Sequence, residues 1–418
     1  MTIQSPPLTG RPRGGIPRGL ATEGPALLSY GFRPFFLGAG IFAFLAMLAW
    51  IVALATGLEI GGTSYGATLW HGHEMLFGYG AAALAGFLLT AVPNWTGRLP
   101  VSGRPLLFLA LLWVAGRLVM LQPDLLGVWP AALVDAAFLL ALTAIVAREI
   151  VTGSNWKNLK VLVGVTLLAA LNLLCHLAVV TGLDTQLPLR LATGVYVLLV
   201  AIVGGRIIPS FTRNFLSRRG DKHLPAPFGR FDIVAIIALG LALATWSILP
   251  NWQPVALLAL LAAVLNAIRL WRWRGLRTLD EPLVLVLHVA YAFVPLGLAA
   301  MALAALGVIA IASALHVLTV GVIGLMTLAV MSRATRGHTG RPLTASPMTS
   351  VSYLALLLAA VLRPFAELIG AHYHTLLMLG GAAWLLAFGL FVLEHGPMLL
   401  SRQDRPRQPA QPSPSTRT

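Results

Sequence analysis

The chain has 418 residues, of which 58% are hydrophobic and only 10% are charged. Its mean hydropathy of +0.83 is higher than a soluble domain with an ordinary charged surface can carry. The composition therefore excludes a water-soluble globular protein. The net charge of +15 does not indicate nucleic-acid binding, because the basic residues are spread over short loops and fit anionic lipid headgroups instead.

The apolar stretches predict an all-α integral membrane protein with about twelve transmembrane helices. A bilayer core needs roughly 20 apolar residues per helix, and stretches of that length follow one another along the chain. The predicted spans are residues 34–57, 74–93, 104–122, 129–147, 160–182, 187–208, 231–249, 253–270, 283–305, 307–331, 348–370 and 375–396. On either side of a transmembrane domain of residues 28–398 we expect a flexible arm (1–27) and a disordered tail (399–418).

The lysines and arginines test the number of spans independently. With twelve spans, all but three of the 29 basic residues fall on one side of the membrane, and only Arg117, Arg190 and Arg363 lie toward the other. Positive charges concentrate on the cytoplasmic side, so both termini are predicted to be cytoplasmic. The single Cys175 lies within a span, which leaves no disulfide framework.

Three helix ends share a sequence pattern that suggests an internal repeat. Thr96, Thr212 and Thr335 each follow an apolar helix end and precede a basic loop, about four spans apart each time. This spacing predicts three four-helix units around a pseudo-threefold axis. The alternative is that helix ends entering basic loops share this composition by chance.

Histidines within the spans are the main candidate functional residues, because an ionisable group in the bilayer is costly unless it is paired or ligated. Neutral imidazole binds haem iron and copper, and two imidazoles on facing helices hold b-type haems. His71 and His73 are two residues apart, so on a helix they point about 200° away from each other and cannot share one metal unless the backbone there is non-helical. The histidines and the carboxylate that the topology gathers toward the outer side are His71, His73, Glu74, His176, His316, His372 and His374.

Each of these residues also has a structural interpretation. His176, and His288 deeper in span 9 beside Tyr291, suit hydrogen bonds between helices as well as metal ligation. His372 and His374 suit simple exposure at the membrane surface. Arginines at the cytoplasmic ends of spans 2, 6 and 10 suit either haem propionates or anchoring of the helix ends; these are Arg98, Arg206 and Arg333.

Several sequence blocks together resemble the NnrS family. They occur in the family's order over roughly residues 28–398, and several at once are more specific than any one alone. The blocks are Gly31-Phe32-Arg33-Pro34-Phe35-Phe36, His71-Gly72-His73-Glu74-Met75-Leu76-Phe77-Gly78, Asn94-Trp95-Thr96-Gly97-Arg98, Gly205-Arg206-Ile207-Ile208-Pro209-Ser210-Phe211-Thr212 and Arg333-Ala334-Thr335-Arg336-Gly337-His338-Thr339-Gly340-Arg341.

The resemblance implies a multi-pass protein of the bacterial inner membrane that contains haem and copper and is associated with denitrification and nitric oxide resistance. From their predicted depth, we assign His73 and His316 as haem ligands, with His176 as a further cofactor-binding candidate. Glu74 is the candidate for proton delivery. The further candidate ligands, for copper, a second haem or another metal, are His71, His372, His374 and His288.

Three functions compete at this point. The first is a haem and copper protein that binds or reduces nitric oxide with electrons from a donor. Its architecture would be similar to that of the haem–copper oxidases and nitric oxide reductases. In that superfamily, however, spans 6 and 7 also ligate the active-site metal, and here these spans carry no histidine. The second is a transporter or exporter of a metal or nitrosyl-iron species. The third is a haem-based nitric oxide sensor without turnover. The expected partners are nitric oxide and membrane lipids, with no nucleic acid.

Overall fold

The computed structural model describes residues 24–402, which fold into twelve long helices joined by short turns and contain no β-strand. The helices are α1 (Phe32–Thr56), α2 (Gly62–Thr96), α3 (Arg104–Val119), α4 (Val128–Thr152), α5 (Leu159–Thr181), α6 (Gln186–Arg218), α7 (Arg230–Ile248), α8 (Pro254–Trp271), α9 (Pro282–Ala305), α10 (Ile311–His338), α11 (Pro347–Phe365) and α12 (Tyr373–Leu400). Most of the predicted arm and tail, residues 1–23 and 403–418, lies outside the described residues.

Eleven of these helices are long and apolar enough to cross a membrane, which confirms the predicted all-helical membrane fold. The remaining helix, α3, corresponds to the predicted span 104–122 but has only 16 residues. At 1.5 Å per residue, it is about 24 Å long and therefore shorter than a typical bilayer core.

The two ends of the described chain meet on one side of the helix bundle. Arg33, at the start of α1, donates hydrogen bonds from Nη1 to the carbonyl oxygens of Leu399 at 2.8 Å and Ser401 at 2.8 Å. The two ends of a chain lie on the same side of a membrane only if the chain crosses it an even number of times. Helix α3 therefore counts as a short twelfth pass beside the eleven longer helices. The cytoplasmic orientation of this side stays a prediction.

The surface of the bundle is apolar, as a lipid environment requires. Leu133, Leu257, Leu354 and Leu393 expose between 64% and 75% of their surface. In contrast, α2 lies in the interior: 83% of its most apolar stretch is buried, against 33% for α1. Helix α2 is therefore positioned to carry side chains that lipid does not reach.

Helix α2 begins earlier than the sequence predicts, at Gly62 instead of residue 74. The first turn is held by Asp124, whose Oδ2 accepts hydrogen bonds from the backbone N–H of Thr63 at 2.7 Å and from its hydroxyl at 2.9 Å. Residues 62–73 include glycines and polar residues, so hydropathy does not mark them as part of a span. His71 and His73 consequently lie within the helix and not at its beginning.

Helices α2 and α10 each contain a π-helical segment directly after a histidine. In α2 the segment is Glu74–Gly80, which follows His73, and in α10 it is Val317–Gly324, which follows His316. A π-helical segment changes the direction in which the following side chains point and is often found at functional sites. The two segments thus mark the same level on two interior helices.

Helices α2, α6 and α10 also meet around an apolar cavity of about 90 Å³. Gly80, Val203 and Val330 contribute to its lining, one from each helix. These are the helices whose ends carry the three similar motifs. The internal repeat itself stays a prediction.

Candidate functional site

Helix α2 presents its two neighbouring histidines to different surroundings. His71 lines a large cavity, whereas His73 is fully buried in a cluster of polar and charged side chains. This divergence follows from the helix geometry, since residues two apart point about 200° away from each other. The structure therefore contains two candidate sites, which we name the His71–His316 cavity and the His73 cluster.

The His71–His316 cavity has a volume of about 400 Å³ and lies among α1, α2, α6, α10, α11 and α12. Imidazoles from two interior helices line it, His71 from α2 and His316 from α10. Most of the remaining wall is apolar, with Met47, Leu76 and Leu377 among its residues. A volume of this size falls within the range of about 300–1,000 Å³ that is typical of small-molecule and cofactor sites.

Each imidazole in the cavity has a ring nitrogen without a hydrogen-bond partner among the described residues, and this nitrogen is free to bind a ligand. His316 donates from Nδ1 to the carbonyl oxygen of Ala312 at 2.7 Å, which fixes the tautomer and leaves Nε2 with a free lone pair. The ring of His71 stacks on Trp50 with 4.7 Å between the ring centroids. Its Nδ1 is buried without a hydrogen-bond partner among the described residues.

The ionised side chains in the cavity lining are Arg363 and Glu367, one turn apart near the end of α11. Arg363 donates from Nη1 to Glu367 Oε1 at 2.8 Å, and Ser313 donates to the other carboxylate oxygen at 3.1 Å. The guanidinium has further N–H groups, which are suited to a carboxylate on a bound molecule.

The His73 cluster is buried among α2, α3, α4 and α5. Its members expose at most 6% of their surface, so the membrane and water are both excluded from it. The cluster comprises Tyr65, His73, Glu74, Arg117, Asp135, Asn172 and His176.

Asp135 is the centre of this cluster. Its Oδ2 lies 3.0 Å from His176 Nε2 and 3.4 Å from His73 Nε2, and it accepts a hydrogen bond from Asn172 Nδ2 at 2.8 Å. His73 Nε2 also lies 2.8 Å from Asn172 Oδ1. The ligand atoms of His73, Asp135 and His176 all lie within 4.8 Å of one another, so these three residues could hold a metal ion.

The outer ring nitrogens of the two histidines are also held. His73 Nδ1 donates to Glu74 Oε1 at 2.9 Å, and His176 Nδ1 is hydrogen-bonded to the Tyr65 hydroxyl at 2.6 Å. Arg117 donates to Glu74 Oε1 at 2.5 Å and to Asp135 Oδ1. This guanidinium therefore bridges the two buried carboxylates.

The structure groups only some of the predicted site residues. His71 and His316 share the cavity, while His73, Glu74 and His176 share the cluster. The predicted haem pair His73 and His316 is not brought together. The remaining candidates lie in neither site: His288 is hydrogen-bonded to Thr212 at 2.8 Å, and His372 and His374 are exposed.

The sequence reasoning missed Tyr65, Asp135 and Asn172 in the cluster and gave no role to Arg117 or Arg363. A signal for three of them was present, because Arg117, Asp135 and Arg363 are charged residues inside predicted spans. Tyr65 and Asn172 gave no comparable signal, since uncharged polar residues are common in membrane helices.

The helical bundle and its buried imidazoles define a multi-pass membrane protein with donor groups for a metal or a haem. The sequence matches the family described as NnrS protein over residues 26–403, nearly its whole length. The chain therefore belongs to the NnrS family, as the resemblance of its motifs predicted. No curated protein matches the chain.

Proposed function

We propose that this protein is a haem- and copper-binding protein of the bacterial inner membrane that acts on nitric oxide, with haem bound in the His71–His316 cavity. One observation carries the proposal: two imidazoles from two interior helices line the same cavity, and each has a ring nitrogen without a protein partner. Membership of the NnrS family supports the link to nitric oxide.

The residues of the cavity fit a haem. His316 and His71 would hold the haem iron, since b-type haems are bound by imidazoles, and the backbone hydrogen bond of His316 orients its ring as metal-binding histidines require. Arg363 supplies a cation for a propionate, and the apolar wall suits the macrocycle. The buried Nδ1 of His71 is unsatisfied without a ligand or a hydrogen-bond acceptor at that point.

This proposal changes the predicted ligand pair. From depth alone, His73 was the expected partner of His316. Both ring nitrogens of His73 face oxygen atoms of the cluster, at 2.9 Å and 2.8 Å, so this side chain has no free nitrogen directed at the cavity. We therefore assign His71 as the partner of His316.

A bound haem would supply redox-active iron and, where one imidazole is displaced, a binding position for nitric oxide. The chain's own residues would hold the macrocycle by two imidazoles and neutralise a propionate through Arg363. The apolar lining, which includes Met47 and Leu377, favours entry of a small uncharged molecule over an ion. In the cluster Glu74 orients His73 and Arg117, and its proposed role is proton delivery, which the variant Glu74→Gln tests.

The test is a redox difference spectrum of the detergent-solubilised protein, with haem quantitation, before and after addition of nitric oxide. We expect a reduced haem band that shifts on addition and recovers as nitric oxide is consumed. A shift without recovery would support the sensor function, and the absence of haem would support the transporter.

Site-directed variants test the ligand assignment in the same preparation. His71→Ala and His316→Ala should lose most of the haem, because each removes one of the two imidazoles that would hold it. The control is His374→Ala, which removes an exposed imidazole outside the cavity and should keep the full haem content. Full haem content in both cavity variants would overturn the assignment.

A further inference from the structure

We propose that the His73 cluster binds a single copper ion through His73 Nε2, His176 Nε2 and Asp135 Oδ2. The existence of this metal site is independent of the haem proposal; only the choice of copper rests on the proposed function. The argument has three parts, which are the spacing of the donor atoms, the orientation of the imidazoles and the charge of the cluster.

The donor atoms have the spacing of a coordination sphere. In a tetrahedral site with bonds of about 2.0–2.1 Å, neighbouring donors lie about 3.3 Å apart. Asp135 Oδ2 lies 3.0 Å from His176 Nε2 and 3.4 Å from His73 Nε2. Both imidazoles thus direct the same ring nitrogen at one carboxylate oxygen, and Asn172 Oδ1, 2.8 Å from His73 Nε2, offers a fourth donor.

The orientation of both imidazoles is fixed from outside. Metal-binding histidines usually hydrogen-bond their second nitrogen to a carboxylate or another polar group, which holds the ring in position. Glu74 does this for His73 at 2.9 Å, and Tyr65 does it for His176 at 2.6 Å. Both imidazoles thus direct Nε2 at Asp135 and Nδ1 at a polar group outside the triad. Hydrogen bonding alone does not require the two rings to be oriented in the same way.

The charge of the cluster favours a monovalent cation. Glu74 and Asp135 contribute two negative charges and Arg117 one positive charge, so with neutral imidazoles the buried cluster has a net charge of −1. An uncompensated charge is costly at such burial, and one further positive charge neutralises it. A bound Cu(I) ion, which imidazole ligates, supplies that charge.

The test is titration of the purified protein with Cu(I) against a chromogenic Cu(I) chelator under anaerobic conditions. The wild-type protein should bind one copper per chain. Asp135→Asn and His176→Gln nearly preserve side-chain volume but remove a ligand, and they should lose more than about 100-fold in copper affinity while keeping haem. Tyr65→Phe removes only the outer hydrogen bond and should lose about 10–100-fold.

His288→Gln is the matched control, because it alters a buried imidazole that is bonded to Thr212 outside the cluster, and its copper affinity should equal that of wild type. Retained haem shows that a variant is folded. X-ray absorption at the copper edge of the wild-type protein gives a second readout that needs no variant, and it should show only nitrogen and oxygen donors.

Three results would overturn the proposal: a wild-type protein that binds no copper, unchanged copper affinity in both ligand variants, or sulfur donors in the absorption spectrum. Because two histidines and one carboxylate also suit non-haem iron(II), iron in this site would refute the choice of copper. Loss of haem with normal copper binding would contradict the proposed function alone.

Discussion

Individual residues determine which of the two sites a histidine joins. His71 and His73 lie at nearly the same depth on α2, and only the rotation of the helix separates them. Depth along a span follows from the sequence, but the direction of each face depends on how the helix packs against its neighbours. For this reason the sequence locates the histidines along the spans but does not show which of them share a site.

Arg117 is the residue on which the charge balance of the His73 cluster depends. Its side chain is 6% exposed and bonds to both buried carboxylates, so its removal leaves a buried negative charge without a partner. Arg117→Gln should lower the free energy of unfolding by about 3–5 kcal/mol, as breaking a buried ion pair does. Denaturant titration in detergent micelles measures this loss.

The control for this prediction is Arg277→Gln. Arg277 pairs with Asp221 at 2.7 Å, but its side chain is 44% exposed. A surface pair of this kind contributes less than about 1 kcal/mol. Equal losses in the two variants would refute the special role of Arg117.

At the scale of elements, hydropathy located the spans because helices that cross a bilayer need long apolar stretches. It did not locate the polar start of α2, which carries His71 and His73. The polar first turns of α2 illustrate the limit, since Tyr65, Trp70 and His73 are buried within the protein although hydropathy does not mark residues 62–73 as part of a span. The approach of Asp135 on α4 to His176 on α5 was likewise beyond prediction, because it depends on contacts between helices.

The Asp124 contact at the start of α2 should make this helix sensitive to acid. Hydrogen bonds from Ser64 and Thr63 lower the pKa of the Asp124 carboxyl below the usual value of an aspartate. Its contribution is therefore fully present above that value and is lost as the pH falls through the lowered pKa. Asp124→Asn should reproduce the acid effect at neutral pH, with faster hydrogen exchange at residues 62–66.

Hydrogen exchange followed by mass spectrometry measures this effect. Asp184→Asn is a suitable control, since Asp184 is an exposed carboxylate that caps the start of α6 by accepting from Gln186 N at 2.8 Å. Exchange at residues 62–66 that is the same in Asp124→Asn as in wild type would contradict the proposed contact.

The packing of α9 against α10 depends on a glycine within the π-helical segment. A Cβ at Gly321 would come 2.2 Å from the Phe293 ring, which is too close for any real contact. Gly321→Ala should therefore destabilise the protein by about 1–3 kcal/mol through overpacking. Adding Phe293→Leu should recover part of the loss, and denaturant titration of both variants checks this.

Gly370→Ala is the control for this substitution, because nothing lies within 4 Å of a Cβ at Gly370. We expect its effect to stay within about 0.5 kcal/mol. If Gly321→Ala were as mild, α9 and α10 would not be in close contact at this level.

At the scale of the whole molecule, composition alone settled the class of protein. A helix bundle in a membrane needs apolar side chains on its outside and hydrogen-bond partners for the polar side chains inside it. The exposed leucines and the buried helix α2 both meet this requirement. The result is a largely apolar cavity and a polar cluster on different faces of one interior helix. The central claim is that these sites are separate.

The most direct test of this claim is the haem and copper content of the wild-type protein, His71→Ala and His73→Ala, purified in parallel. The account predicts that His71→Ala loses haem and keeps copper, whereas His73→Ala loses copper and keeps haem. Loss of haem in His73→Ala with retention in His71→Ala, or loss of both cofactors together in each folded variant, would contradict it.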